Sequence, residues 1–228
     1  MTKSIFLSTR QVLLGTLALV MLLSISSLAQ AQSYPPAWSA NATYATGDLV
    51  QLSGNTFKAI QPVTTPGANP TSNYHYWQLN QVQSNTTLMI GAGETFPTIN
   101  IAWTYAWNAK VADGVYLHFY ISTVNGNYAE FFPTPFFLDH ASGARIAILG
   151  DHYLDISLNF GGTNGFIIDT GHSINTISGT TLTNVSNSPV GIKADGNATI
   201  SALSGVYITG FGTCIQSTQN STMSVIAS

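Results

Sequence analysis

Asp169 and Asp195 stand 26 residues apart, and their type and spacing suit acid–base work on a glycosidic bond. Such hydrolysis needs two carboxyl groups flanking the bond, about 5 Å apart for retention and wider for inversion. If the chain winds back on itself once per 26 residues, the two aspartates fall on neighbouring windings, about 4.8 Å apart. Both also sit in turn sequences, Asp169-Thr170-Gly171 and Asp195-Gly196-Asn197, where aspartate hydrogen-bonds its own backbone. A structural role therefore competes with a catalytic one. Asp151, His152 and Asp155 form a second polar cluster, in which Gly150-Asp151-His152 marks a turn before a strand. Calcium-assisted lyase chemistry would need an acidic cluster and a base on one outer face, and the sequence does not place Arg145 or Lys193 in that relation. The nucleophile elbow G-x-S-x-G, the metal motif H-E-x-x-H and a P-loop are missing. No cofactor and no metal are expected.

Recognition is the other chemistry on offer. Trp38, Tyr44, Tyr74, Tyr76 and Trp77 crowd one short segment. A planar ring covers the C–H face of a sugar with little loss of entropy, and each exposed ring contributes about 1 kcal/mol by analogy with other aromatic stacking. A domain this small buries little surface, so several of these rings must serve as core. Trp38 and Trp77 are the first expected there, with Tyr74 and Tyr76 balanced between core and platform. Further on, Tyr116, His118 and Tyr120 alternate with Val115, Leu117, Phe119 and Ile121. The polar-aromatic face is expected to pack under the segment Phe131 to Phe137, a sugar platform being the alternative.

Three kinds of element must position these residues. Leu49-Val50-Gln51-Leu52 and Thr56-Phe57-Lys58-Ala59-Ile60, joined through Ser53-Gly54-Asn55, read as a β-hairpin. The stretch from Pro62 to Asn73, with Pro66, Gly67 and Pro70, is a loop. Ile99, Ala102, Trp103, Ala106 and Trp107 recur at helical spacing after Pro97, with Thr95 or Thr98 as cap. This helix is expected to plug one end of a β domain. The segment Gly165 to Ile174 aligns without gaps to Gly191 to Ile200, and the register continues through Leu182-Thr183 onto Ile208-Thr209, always 26 residues apart. A partial third copy runs from Cys214-Ile215 to Met223-Ser224. A repeat of this length without helical pattern reads as one winding of a solenoid. Phe166, Ile192 and Ile215 should then form one interior column, and Ile174, Ile200 and Met223 another, with Cys214 pointing inward.

The order Trp38, Tyr44, Gly47-Asp48, Val50, Gly54, Phe57, Ala59, Pro70 and Trp77 resembles the chitin-binding type 3 modules, carbohydrate-binding module family 5/12. Similar modules recur in phage tail proteins. The resemblance implies a small twisted sheet whose exposed aromatics stack on N-acetylglucosamine rings. Where members usually carry adjacent exposed aromatics after the second strand, this chain has Gln61-Pro62-Val63, and Phe57 replaces the more usual Tyr or Trp. The region from Leu88, with Gly91-Ala92-Gly93 and Gly150-Asp151, resembles the N-terminal part of a pectin-lyase-like right-handed β-helix, phage tailspike members most of all. That fold hosts lyases, hydrolases, epimerases and non-enzymatic binders.

The expected architecture is mainly β: a signal peptide over 1–31, a small hairpin or three-stranded module over 36–80, and a short right-handed parallel β-helix over 88–228 with an N-terminal capping helix. Lys3 and Arg10, an apolar run from Val12 to Ile25 and Ala29-Gln30-Ala31 carry the first of these. The apolar run is shorter than the roughly 20 residues that cross a bilayer, and no later membrane span is expected. Without Lys3 and Arg10, four basic residues face nine acidic ones, which disfavours nucleic acid as a partner. Charged residues make up only 7% of the chain and there is one cysteine, so a surface of hydroxyls and amides outside the cell is implied, without an intrachain disulfide. Ser228 follows soon after the repeat becomes clear, which implies a truncated β-helix or a coil edge covered by another chain, as in a homotrimer. Three readings follow: a secreted binder of a chitin-like or surface polysaccharide, a polysaccharide-degrading hydrolase or lyase, and a phage-derived tail or adhesin piece.

Overall fold

A computed structural model describes residues 34–187 and 189–226; the expected signal peptide lies outside them. Strands β1 (Leu49–Leu52) and β2 (Asn55–Ala59) pair antiparallel across the two-residue turn Ser53-Gly54. Both turn residues have positive φ, 51° and 79°, a twist that suits a tight hairpin and that glycine adopts without a Cβ penalty. Strand β3 (Trp77–Val82) joins antiparallel to β2. The inner face carries Val50, Phe57, Ala59, Trp77 and Leu79, all buried. Asn55 is buried behind the turn, donating to Thr86 Oγ1 at 2.8 Å and accepting from the Gln83 N–H at 3.1 Å. Its amide ties the hairpin to the first strand of the next region.

That region is a parallel β-solenoid. Its longest face is a six-stranded sheet built in order from β4 (Thr86–Ile90), β6 (Leu117–Ile121), β9 (Ile146–Gly150), β12 (Ser173–Ser178), β15 (Thr199–Ser204) and β18 (Thr222–Ile226). A second face stacks β7 (Tyr128–Phe132), β10 (Ile156–Phe160), β13 (Thr181–Asn184) and β16 (Tyr207–Thr209). The third stacks β8 (Phe136–Phe137), β11 (Phe166–Ile168), β14 (Val190–Ala194) and β17 (Thr213–Ser217). Strand β5 (Lys110–Val111) does not join the solenoid; it pairs parallel with β3 and completes the module's sheet.

The columns expected from the repeat are present. Phe166 pairs with Ile192 and Ile192 with Ile215; Ile174 pairs with Ile200 and Ile200 with Met223. Phe166, Ile174, Ile192 and Ile200 are fully buried. On the last described winding Ile215, Val225 and Ile226 are exposed. Cys214 is a correction: it is exposed rather than inward, because Ile215 takes the column position and alternation along a strand turns its neighbour away.

Helix α1 (Ile99–Ala106) lies between the module and the first windings, against β3, β4 and β6. Thr98 caps it, its Oγ1 accepting from the Ile101 N–H at 3.2 Å. Ile99, Ala102, Trp103 and Ala106 are buried as their spacing requires, and so is Tyr105. Trp107 is 41% exposed, against expectation. At 3.6 residues per turn its position is rotated about 80° from Ile99, and the helix ends just before it.

Two titratable side chains of the solenoid, the half-buried Glu130 and the buried His140, hold the helix ends. Glu130 accepts from the N–H groups of Ile99 at 2.9 Å and Asn100 at 3.3 Å and is hydrogen-bonded to Tyr128 Oη, completing the N-terminal donors that a helix leaves unpaired. At the other end His140 accepts from the Ser142 N–H at 2.9 Å through Nδ1, so Nε2–H donates to the Ala106 carbonyl at 3.0 Å. Burial holds the Glu130 carboxyl above its ordinary value of 4.5, even though its hydrogen bonds pull the other way. The protonated form is thus the one the fold prefers. Its stabilisation is complete below the unfolded value and is lost as pH rises through the folded one. Glu130→Gln keeps an acceptor oxygen and removes the titration. Thermal midpoints across pH 4 to 8 are expected to fall less steeply for the variant than for wild type on the alkaline side; parallel curves would contradict this.

Candidate functional site

Trp77 lies at the centre of the module, 0% exposed, with its indole N–H donating to the Ala68 carbonyl at 2.8 Å. Its ring is therefore part of the core and lies beneath the groove that Tyr74 borders rather than exposed as a platform, a correction to its place among the sugar-stacking candidates. Tyr44 packs edge-on against Trp77, with ring centroids 5.1 Å apart. Its hydroxyl is engaged by Ser39, accepting from the N–H at 2.7 Å and donating to the carbonyl at 3.2 Å. Trp38 is half-buried and packs on the same core, while its backbone N–H donates to Gln51. Tyr74 and Tyr76 are half-buried. The Tyr74 ring rests 4.4 Å from His75 and 5.5 Å from Phe96.

Tyr74 borders a groove of about 340 Å³ between the module and α1. Ile60, Tyr74, His75 and Gln78 line the module side over the buried Trp77, and Asn100, Ile101, Thr104 and Tyr105 line the helix side. Ile60 is 45% exposed because the chain leaves β2 just before it, yet its N–H still donates to the Tyr76 carbonyl at 2.9 Å. Gln61 Nε2 donates to the His75 carbonyl at 2.8 Å and holds the second wall segment in place. The helix wall is fixed to the module by Tyr105 Oη donating to the Pro70 carbonyl at 2.8 Å and Gln78 Nε2 donating to the Thr104 carbonyl at 3.2 Å. Carboxylates and lysine or arginine cations are missing from the lining. An aromatic and aliphatic wall with amide and hydroxyl neighbours suits a neutral, partly apolar ligand. Tyr76 does not line the groove. Ile60 and His75 were not singled out in the sequence; the signal was their position, at the end of β2 and between two tyrosines.

The carboxylates are held in turns. Ile168 pairs with Ala194, so Asp169 and Asp195 follow at equivalent places on neighbouring windings. The Asp195 carboxylate is bonded by Lys193 Nζ at 2.7 Å, Thr218 Oγ1 at 2.6 Å and the Gly196 N–H at 3.0 Å. The Lys193 bond, then that of Thr218, holds its carboxyl below the usual range. A proton donor to a leaving oxygen needs the opposite shift; the Lys193 ion pair favours the charged carboxylate instead. Asp169 closes its turn by accepting at its backbone carbonyl from His172 N–H at 3.0 Å and Nδ1–H at 2.8 Å. Asp151 accepts from Thr123 N–H at 2.7 Å and Oγ1–H at 2.8 Å, and Asp155 lies 2.9 Å from His152 Nδ1. Asp151 and Asp155 lie between β9 and β10, Asp169 and Asp195 between the third face and the six-stranded sheet; the fold places the two groups at different corners. Arg145 pairs with Asp113. Among the described residues, no group of three or more His, Cys, Asp and Glu is arranged to hold a metal ion, and no helix is long and apolar enough to cross a membrane.

Tyr116, His118 and Tyr120 face outward from β6, the first two stacked with centroids 6.3 Å apart. They do not pack under Phe131 to Phe137, because β7 and β8 turn onto the other two faces of the solenoid.

Residues 37–78 match the model of carbohydrate-binding module family 5/12. Neither the curated proteins nor the solved structures contain a match to this chain.

Proposed function

We propose that this is a secreted carbohydrate-binding protein that takes a chitin-like or surface polysaccharide at the groove beside Tyr74, with the β-solenoid as scaffold. The observation that carries the reading is an uncharged groove, walled by Tyr74, His75 and Ile60, on a segment that matches a carbohydrate-binding family. Chitin is favoured over acidic polysaccharides because the lining offers no lysine or arginine to pair with a polyanion. Export is supported by the charged, apolar and small-residue order of the first 31 residues. The scaffold role draws support from the sequence resemblance of the region from Leu88 to pectin-lyase-like β-helices, a fold that serves binders as well as enzymes.

Depletion of the protein from solution by chitin, cellulose and acidic polysaccharide particles tests this. Chitin is expected to retain it, and Tyr74→Ala to weaken retention about fivefold, one stacked ring being worth about 1 kcal/mol. Passage through all three materials unretained would overturn the reading. A second reading, a trimeric tail or adhesin component, draws support from the exposed Tyr207, Ile215 and Val225 of the last described winding. A lone monomer in sedimentation at high concentration would remove it.

A further inference from the structure

A second groove, about 380 Å³, runs along the other side of α1, between the helix and strands β7 and β8. The two grooves share Asn100 and Thr104. With Trp107 these residues stand at i, i+4 and i+7, one exposed stripe down the helix. Trp107, Phe131 and Phe137 wall the second groove and are 41%, 62% and 44% exposed. Phe131 overhangs Gly161, where a Cβ would lie 2.5 Å from the ring. Trp103 is 4% exposed and closes the base, its indole N–H making no hydrogen bond within the protein.

We propose that the two grooves form one track for a linear, neutral glycan, in which Trp107, Phe131 and Phe137 supply further stacking subsites on the solenoid. The proposal rests on the carbohydrate reading of the module. Three large rings left in one concave surface are an unusual concentration of exposed apolar area for a chain dominated by hydroxyls and amides, and ring faces beside hydroxyl and amide groups are the chemistry that pyranose rings meet. The single carboxylate at this groove, Glu130, is already bonded to the helix N-terminus and Tyr128 and carries no cation partner, so an acidic polymer is disfavoured. Length favours a polymer as well. The stripe from Asn100 to Trp107 spans about 10 Å at 1.5 Å per residue, and the two grooves extend beyond it on either side. Both walls are fixed before binding. Tyr105 and Gln78 bond the helix to the module, and Glu130 and His140 bond it to the solenoid. Subsites on the two sides of a rigid joint bind a long chain together without the ordering cost that a flexible linker would impose.

Calorimetric titration of the whole protein with chitotriose and chitohexaose tests the track. The hexamer is expected to bind at least about tenfold more tightly than the trimer. The double variant Trp107→Ala/Phe131→Ala should lose most of that advantage while trimer affinity stays within about twofold. Gly161→Ala, which displaces the Phe131 ring without removing it, should lower hexamer affinity in the same direction, and an unchanged melting temperature confirms that both variants fold. Equal affinity for the two lengths, or a double variant that keeps the full hexamer advantage, overturns the track and leaves the module as a binder by itself. Failure of both oligomers to bind the unaltered protein overturns the track and the chitin reading together. A self-association that the double variant abolishes would assign this face to a second copy of the chain, and also overturns the proposal.

Discussion

Phe160→Ala is expected to lower the unfolding free energy by about 3–5 kcal/mol, the range for truncating a buried phenylalanine. Phe160 is fully buried inside β10. Its ring stacks on Phe132 of the preceding winding, with centroids 4.9 Å apart and planes 16° from parallel. It meets Phe166 edge-on at 5.6 Å and Phe211 at 6.2 Å. Rings from three windings converge there, so the cavity left by alanine cannot be filled by a small shift of one neighbour. In a solenoid each winding is stabilised mainly by those adjacent to it, and the loss should propagate to the last described windings. Denaturant unfolding followed by tryptophan fluorescence, whose four probes all lie before β6, together with far-ultraviolet circular dichroism would show it. The two signals, coincident in wild type, should separate in the variant. Phe131→Ala, three residues from Glu130's partner Tyr128 in sequence but outward-facing, should change stability by less than about 0.5 kcal/mol. A loss under about 1 kcal/mol in Phe160→Ala would mean that the aromatic stack does not hold the windings together.

Trp77→Ala is expected to cost about 4 kcal/mol, combining a large cavity with an unpaired buried carbonyl at Ala68. The module has few other residues of that size, Phe57 and Leu79 being its nearest equivalents in the sheet. Trp77→Phe restores most of the apolar surface and lacks only the indole donor, so it should recover more than half of the loss. The loop from Pro62 to Asn73 should become cleavable by protease in Trp77→Ala and stay protected in wild type. Retention on chitin should fall together with protection. If retention disappeared while protection and melting temperature were unchanged, Trp77 would be a ligand contact and its assignment to the core would be wrong.

Elements built from near neighbours were legible before any coordinates. The hairpin followed from two short strand-like runs joined through Ser53-Gly54-Asn55, because a tight hairpin turn needs positive φ that glycine adopts without a Cβ penalty. The buried stripe of α1 followed from its spacing up to Ala106. Beyond that point periodicity misled: it placed Trp107 inside, whereas whether an edge position is covered depends on what lies past the end of the helix. The carboxylates show the same division. Their equivalent positions on neighbouring windings were readable from the repeat, but the partners that hold Asp195 ionised were not, since Thr218 comes from the following winding. The candidate groove was half legible. Tyr74 stood out as an aromatic, while Ile60 and His75 acquired a shared surface only through the docked helix.

The sequence by itself determined the solenoid. In a parallel stack the pairing register is the repeat length, so Gly165 to Ile174 over Gly191 to Ile200 specifies the contacts of Phe166 with Ile192 and of Ile174 with Ile200. Which aromatics remain on the surface was decided by tertiary structure alone. Helix α1 is positioned by bonds between residues 31 to 35 apart, Glu130 to Ile99 and Tyr105 to Pro70. No local period encodes where such a joint leaves Tyr74, Trp107 and Phe131, because their exposure is set by the shapes of two surfaces that meet only when the whole chain has folded.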